Sequence, residues 1–399
     1  MASEKYIVNQ EKVDQAVELM KEYGIDTWLI LTRENTDPSL PLMVGVRSVH
    51  KGAIFLNSNG EHFVLTSVSD QASYEETGIF KEVIAYHSRI EEPFLELMEK
   101  FKPKKMALNI SLEDHLADGL TVGQYQWLEG VLGKDRLREI EVSSENLVQN
   151  VRSIKSEAEI SRIQKAIEIT QDIYNEVFQQ LKPGMTEREI GELFIKGLKK
   201  RKVTSGIGPA FQLPIVCSVR LGLAHREPSE EKVLPGDMLV MDFSVKYQDY
   251  VSDIARTAYF LRPGEEKAPP EVQKAFDTAV EAVTAAIEVL LPGKKGYEVD
   301  AAGRKVIEEA GYPTIRHSTG HQIGRDCHDG GTGLGPRRNP PRLAVEREVQ
   351  EGEVYAVEPT VIQDGGLPSV IVEENVLVTK EGPIILSKRQ TELVTIPAE

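Results

Sequence analysis

The chain is poor in cysteine and in aromatic residues: it has 2 cysteines and 2 tryptophans in 399 residues, and aromatics make up 6%. Cys217 and Cys327 lie far apart and form no C-x-x-C pair. That excludes a disulfide framework or a cysteine zinc cluster and suits a reducing compartment. No apolar run reaches the roughly 20 residues that span a bilayer. The opening residues, Met1-Ala-Ser-Glu-Lys-Tyr6, lack the apolar stretch of a secretion signal. Positive charge is also short, with 47 Lys and Arg against 63 Asp and Glu and a net charge of −16. Such a surface argues against nucleic-acid or anionic-membrane partners. The expectation is a cytoplasmic protein that engages neither. Its 40% hydrophobic and 28% charged residues are those of an ordinary globular chain. Its length exceeds the roughly 50–250 residues of one domain, so two are expected.

Hydrophobic periodicity divides the chain near residue 150. Before that point helical and strand patterns alternate. Residues 11–23 carry Val13, Ala16, Val17, Leu19 and Met20 at helical spacing, and Gly24 follows as a C-terminal cap. Residues 27–32 read as an apolar strand, and 53–56 and 62–65 as a hairpin around Asn59-Gly60. Helices near 69–77, 91–102 and 122–132 alternate with strands at 82–86 and 105–110. This predicts a small mixed α/β domain over 1–150. Residues 143–155 are polar and turn-rich and read as a junction. From Ser156 on, longer helices precede longer strands. Residues 156–181 form an amphipathic stripe ending at Pro183-Gly184, and Thr186 with Glu189 opens a second helix as a capping box. The arrangement returns 109 residues later: 270–291 ends at Pro292-Gly293 and 298–310 follows, with Glu298 and Val299 matching Glu189 and Ile190. Residues 151–399 therefore read as a second domain built from two related halves.

That second domain carries acids in unusual places. Residues 238–247 and 250–259 alternate with the period of a strand, and a reversal at Tyr247-Gln248 would place Asp242 directly opposite Asp253. Like charges so placed repel, and a bridging cation, a shared proton or an intervening Arg would each relieve them. His317 and His321 lie in a glycine-containing segment. Glu358 precedes Pro359 at the end of an apolar strand, and Glu373-Glu374 interrupt another. Acids inside apolar strands are costly unless paired or metal-bound. Each residue alone is equally explained as a solvated acid or a loop histidine. Alternation does not choose between Glu373 and Glu374. Together they point to a carboxylate-rich divalent-metal site.

In order and spacing these residues resemble the metallopeptidase family M24, the pita-bread group that includes methionine aminopeptidase, aminopeptidase P, prolidase and the metal-free creatinase. The matching segments are Asp242, Tyr250-Val-Ser-Asp253-Ile-Ala-Arg256-Thr257, His317-Ser-Thr-Gly320-His321, Glu358-Pro359 and Glu373-Glu-Asn-Val-Leu-Val-Thr379. His225, seventeen residues before Asp242, and His328, seven after His321, fit as well. The resemblance implies an α+β fold. A C-terminal pita-bread domain with a pseudo-twofold repeat over 151–399 would follow a smaller creatinase-like α/β domain over 1–150.

The resemblance also implies roles. Asp242, Asp253, His321, Glu358 and Glu373 would be metal ligands, with Asp253 and Glu373 bridging two divalent ions. Glu373 rather than Glu374 takes that part. Four carboxylates and one imidazole suit Mn²⁺ first, with Co²⁺, Fe²⁺ or Zn²⁺ as alternatives. Hydrolysis would use a water bridging the two ions. Glu358 would shuttle a proton to the leaving amine, and His225 and His328 would act at the substrate carbonyl or leaving nitrogen. His317 is a further substrate-binding candidate. The implied substrate is a peptide or dipeptide with proline in second position, and the implied assembly a homodimer. The chain departs from the family pattern at Ser244, Ala255, Ser318 and Ile371. None is a ligand position, so these departures bear on the substrate. A related enzyme acting on a small non-peptide metabolite, by amide hydrolysis or as a lyase, is the alternative. A non-catalytic binding protein on the same scaffold is the second.

Overall fold

A computed structural model of the chain describes residues 4–207, 212–223 and 226–398. It divides into two compact units, Met1–Arg152 and Ser153–Glu399.

The first unit is built on a six-stranded sheet. Its strands are β1 (Thr27–Thr32), β2 (Gly52–Asn57), β3 (Phe63–Ser67), β4 (Glu82–Tyr86), β5 (Met106–Leu108) and β6 (Glu141–Ser143), in the spatial order β4-β3-β2-β1-β5-β6. The pair β1–β2 and the pair β2–β3 are antiparallel, whereas β3–β4, β1–β5 and β5–β6 are parallel. Strand β1 is buried along its whole length. Its side chains alternate between two cores: Trp28 and Ile30 pack with Val13 and Met20 of the Ile7–Tyr23 helix. Leu29 and Leu31 pack with Phe94 and Leu97 of the Glu91–Phe101 helix. A strand covered by helices on both faces must be apolar at every position, which is how Thr27–Thr32 reads. The division between the units, after Arg152, falls within the expected junction at 143–155, but that segment is helical rather than turn-rich: Glu145–Ser153 is a helix. Leu147, Val148 and Val151, each 1% exposed, give it an apolar stripe that its polar composition masks.

The second unit repeats one motif twice. The helices Glu157–Phe178 and Glu187–Arg201 form the first pair, Pro270–Val289 and Gly296–Glu309 the second. Each pair is joined through a glycine in the left-handed region, Gly184 at φ 89° and Gly293 at φ 85°. Each second helix opens with a glutamate reaching back 2.8 Å to the backbone N–H three residues earlier, Glu189 to Thr186 and Glu298 to Lys295. Each glycine N–H also finds a distant carbonyl, Val233 O for Gly184 and Val349 O for Gly293. Helix entry, turn and anchoring are thus duplicated.

The remaining strands are β7 (Thr204–Ser205), β8 (Ile215–Ser218), β9 (Met238–Phe243), β10 (Val245–Tyr247), β11 (Tyr250–Val251), β12 (Ile254–Phe260), β13 (Gly320–Gln322), β14 (Val354–Val357), β15 (Glu374–Thr379), β16 (Gly382–Ile385) and β17 (Val394–Ile396). They make two four-stranded sheets, β17-β12-β9-β8 and β13-β14-β15-β16, and a small sheet β11-β10-β7.

The hairpin register differs from expectation. Asp242 lies opposite Ala255, not Asp253, and Tyr247 opposite Tyr250. The chain reverses at Gln248-Asp249, whose φ angles of 45° and 70° are both left-handed, as the two-residue type I′ turn demands. Centring the turn one residue later slips the register by two. Asp242 and Asp253 therefore keep the same face but become diagonal neighbours, roughly 7–8 Å apart along the backbone rather than directly opposed. Among the described residues no helix is long and apolar enough to cross a membrane.

Gly184→Ala and Gly293→Ala should each cost about 1 kcal/mol, because alanine at positive φ is strained while nothing lies within 4 Å of the added Cβ. Denaturant midpoints of the two variants should fall by similar amounts, as expected of equivalent turns.

Candidate metal centre

Five backbone segments bring the site together. Asp242 comes from β9, and Asp253 from the gap between β11 and β12, where the regular ladder opens. The Asp253 N–H donates instead to Asn375 Oδ1 at 3.1 Å, and Asn375 Nδ2 donates back to Asp253 O at 2.5 Å. Tyr174, on the first long helix, reaches Met241 O at 2.9 Å and Ile254 O at 2.7 Å, the carbonyls beside the two aspartates. His321 lies on β13, and Glu358 immediately follows β14, its N–H bonded to Thr319 O at 2.7 Å. Glu373 precedes β15; its N–H donates to Ala255 O, and Arg256 donates to its carbonyl at 2.6 Å.

One ligand atom each from Asp253, His321 and Glu373 lies within 4.8 Å of the others. His321 Nε2 is 3.7 Å from Asp253 Oδ2 and 3.8 Å from Glu358 Oε1. Its Nδ1 faces Gln322 O at 3.3 Å, the arrangement that leaves Nε2 as the lone-pair atom turned toward the acids. Asp242 and Glu358 line a cavity of about 660 Å³ beside this cluster, together with His317, His321 and His328. Ile215, Leu223, Val240, Ile362 and Ile371 supply its apolar wall.

The cluster is electrostatically expensive. Burial, then the charges of Asp242 and Glu358, push the Asp253 carboxyl well above the usual carboxylate range. Burial and the Asp253, Glu358 and Asp242 charges do the same to Glu373. Glu358 is pushed up to about 8 by burial and Asp242. Burial and the neighbouring His328 lower His321 to about 4, which keeps it neutral. Among the described residues no Lys or Arg forms an ion pair with Asp253, Glu358 or Glu373. Clustered carboxylates around a neutral imidazole, lacking a basic partner, are the donor set of a divalent-cation site. The residues present therefore fit metal ions.

Of the expected site residues, Asp242, Asp253, His321, Glu358 and Glu373 converge here. The His328 ring lies 4.3 Å from that of His321, centroid to centroid, and lines the same cavity. His317 also lines it, but its ring contacts the protein on both sides, Nδ1 at 2.6 Å from Ser318 O and Nε2 at 2.9 Å from the Thr360 hydroxyl. His225 lies outside the described residues. The sequence reading missed Asn375, Arg256 and Tyr174 as supports. An amide inside an apolar strand was the available signal for Asn375. Tyr174 sits on an ordinary helical stripe and gives none.

Glu187 anchors the end of β8, whose Ile215 and Cys217 line the cavity. This carboxylate takes two bonds from Arg226, at 2.7 and 3.0 Å, and others from Ser218 N, Ser229 N and Ser229 Oγ. It thereby ties the end of β8 to the segment that begins at Arg226.

The family model for metallopeptidase family M24 matches residues 161–380. A protein of Pyrococcus horikoshii named Xaa-Pro dipeptidase is 27% identical over 392 residues, covering 97% of this chain and 99% of that one. Among solved structures, a Xaa-Pro dipeptidase from Bacillus anthracis superposes with a TM-score of 0.76 at 23% identity, over 97% of this chain and 100% of its own. An X-Pro aminopeptidase from Thermotoga maritima gives 0.73 at 24% identity, over 96% and 99%. These likenesses extend through both units and establish the pita-bread fold with its preceding α/β domain.

Glu187 sets an acid limit on the second unit. Burial alone would raise its carboxyl, but Arg226, Ser229 and the backbone donors outweigh burial and hold it at about 2, below the ordinary 4.5. A depressed acid stabilises the fold fully above pH 4.5 and loses that contribution as pH falls toward 2. The expected loss across that window is on the order of 2–3 kcal/mol. Urea midpoints measured at pH 7 and pH 3 should show a smaller acid-induced drop in Glu187→Gln than in the parent protein; equal drops would contradict this role.

Proposed function

Since the chain belongs to metallopeptidase family M24, we propose that it is a dinuclear-metal exopeptidase that hydrolyses Xaa-Pro bonds, in dipeptides or at the N-terminus of longer peptides. The observation that carries this reading is the buried group of Asp253, His321 and Glu373, whose donor atoms lie within 4.8 Å of one another without a basic partner. Asp253 and Glu373 would bridge two ions, Asp242 would hold one of them, and His321 and Glu358 the other. Mn²⁺ is the first candidate for an oxygen-rich set with one imidazole, ahead of Co²⁺, Fe²⁺ and Zn²⁺. Bound divalent ions would supply Lewis acidity, acidifying a water and polarising the scissile carbonyl.

The chain's own residues would do the rest. Glu358, at the cavity edge, takes the proton of the attacking water and returns it to the leaving nitrogen. His328, whose ring lies beside that of His321, would donate to the oxygen on which charge develops, and His225 would share that work. His317, held by Ser318 and Thr360, presents its ring to the substrate. The apolar wall formed by Ile215, Leu223, Val240, Ile362 and Ile371 suits a pyrrolidine ring. An Xaa-Pro amide carries no N–H, so this wall need offer it no acceptor. A homodimer is part of the same reading, as is action on soluble peptides in the cytoplasm.

The test is a panel of Xaa-Pro dipeptides, Xaa-Pro-Xaa tripeptides and controls without proline, assayed with added Mn²⁺. Hydrolysis confined to the controls would sink the proline assignment. Activity on none of them, from a protein that nevertheless binds two ions, would favour the non-peptide alternative. Asp253→Ala should lose bound metal and activity together. His328→Ala should retain metal while kcat falls roughly 10²–10³-fold, the usual cost of one donor to a developing oxyanion.

A further inference from the structure

The first unit holds a second cavity, of about 760 Å³, remote in sequence from every residue of the metal centre. Arg33, His50, Lys51, Ser69, His87 and Ser88 line it, with Glu34 as a lining acid. Its place in the sheet is distinctive. Arg33 follows β1, Ser69 follows β3 and His87 follows β4, so the cavity opens at the carboxyl ends of three strands. His50 and Lys51, just before the antiparallel β2, complete the rim. The volume falls within the roughly 300–1,000 Å³ of small-molecule sites.

Its two fixed cations, Arg33 and Lys51, lack an ion-pair partner among the described residues, although the chain as a whole carries a net charge of −16. The Lys51 ammonium rests 3.4 Å above the centroid of the Trp127 ring. Burial lowers it to about 8, a shift that Glu91 opposes and Arg33 reinforces. An anion between Arg33 and Lys51 would remove that repulsion. The rim is preorganised at some cost. Glu34 and Asn35 both adopt left-handed backbone, at φ 55° and 58°. They are held there by Glu34 N to Val49 O, Asn35 N to Ser48 O, and Ser48 N to Asn35 Oδ1 at 2.7 Å. Two consecutive non-glycine residues in that region are strained, and such strain clusters at binding sites.

We propose that this cavity binds a small phosphate-bearing molecule, its phosphate monoester held between Arg33 and Lys51 with Ser69 and Ser88 as hydroxyl donors. Arg33 and Lys51 set two positive charges against the one lining carboxylate of Glu34, and a guanidinium fork pairs with two oxygens of a phosphate. A single carboxylate would leave one cation and most donors unused. His50 is turned to Asp70 at 3.3 Å, and the Ser67 hydroxyl also goes to Asp70, so His87 is the imidazole that remains for the ligand.

Trp127 provides the readout. The chain has 2 tryptophans; Trp28 is fully buried with its indole N–H on Asn109, whereas Trp127 carries Lys51 on its face. The metal-loaded full chain is titrated at constant ionic strength with inorganic phosphate, glycerol 3-phosphate and acetate, following tryptophan emission. Both phosphates should give a saturable change and acetate none. Glycerol 3-phosphate binding more tightly than inorganic phosphate would identify an organic monoester as the natural ligand; the reverse order would identify the free ion. Arg33→Gln and Lys51→Gln should each weaken binding about tenfold, with unchanged circular dichroism. In Trp127→Phe the emission change should vanish while calorimetry still detects binding. No saturable response, an equal response to acetate, or unaltered affinity in Arg33→Gln would each overturn the proposal.

Discussion

Mutual repulsion among buried carboxylates is the constraint around which the second unit is organised. Two such charges about 5 Å apart repel by roughly 3 kcal/mol at an effective dielectric near 20. Asp253 and Glu373 fall within that distance of each other, and Asp242 and Glu358 add to the charge on both. Without cations the acids can relieve this repulsion by holding protons, the direction in which burial and their neighbours push Asp253, Glu358 and Glu373, or by moving apart. What opposes their separation is a set of bonds to main-chain atoms, which hold whatever the charge state of the acids. Asn375 grips both the N–H and the carbonyl of Asp253, and Arg256 grips the carbonyl of Glu373. Tyr174 spans the strands beside Asp242 and Asp253. The acids are presented by a scaffold that does not depend on their own interactions, as a preorganised cation site requires.

The duplicated architecture explains how one scaffold gathers acids so distant in sequence. One sheet supplies Asp242 and, at the mouth of its hairpin, Asp253; the other supplies His321, Glu358 and Glu373. The two sheets are stitched where Glu373 N–H meets Ala255 O and Asn375 meets Asp253. The helices fix the loops. Asp300 on the last long helix binds Arg304 and also takes the N–H and hydroxyl of Thr319. That steadies the segment leading into His321. Glu187 does comparable work for the end of β8 in the first half. The rigid elements bury their apolar faces independently of the site, so the strained and charged pieces are carried by parts that are already stable.

Much of this was legible in the sequence because it rests on local patterns. Strands such as Thr27–Thr32 and Glu82–Tyr86 were readable from apolar runs, and the helix pairs from Pro-Gly breaks followed by capping glutamates. The candidate ligands stood out as acids in apolar strands, and the order of their motifs carried the family. What was not legible depends on turn geometry and on tertiary bonds. The hairpin register turns on which two residues adopt left-handed backbone. Gln248-Asp249 lacks the glycine that usually announces such a turn, so the reversal was expected one residue early and the aspartates directly opposed. The helix Glu145–Ser153 hides its three apolar contacts among polar neighbours. Asn375 and Tyr174 act on carbonyls and amides far away in the chain, and nothing local to either reveals its partner.

Glu373 and Glu374 show what separates an acid the fold needs from one it merely tolerates. They are adjacent, of the same type and almost equally buried, at 2% and 1% exposure. Alternation sends their side chains to opposite faces of the strand. On one face Glu374 meets Arg256 at 3.2 Å, the Gln390 N–H at 3.0 Å and the Ser387 hydroxyl. Burial still raises its pKa, but Arg256 and these donors oppose the shift. The chain itself satisfies that charge. On the other face Glu373 meets Asp253 and His321, and the guanidinium of Arg256 spends its bonds on main-chain carbonyls and on Glu374. Burying an ion without a partner costs several kcal/mol, so Glu373 either keeps a proton, the direction in which burial and the neighbouring acids push it, or shares its charge with bound cations. Cations shared with Asp253 would stabilise that charge, and the same cations would do nothing for Glu374. The proposed metal therefore accounts for a difference between two neighbouring glutamates that burial and sequence context leave unexplained.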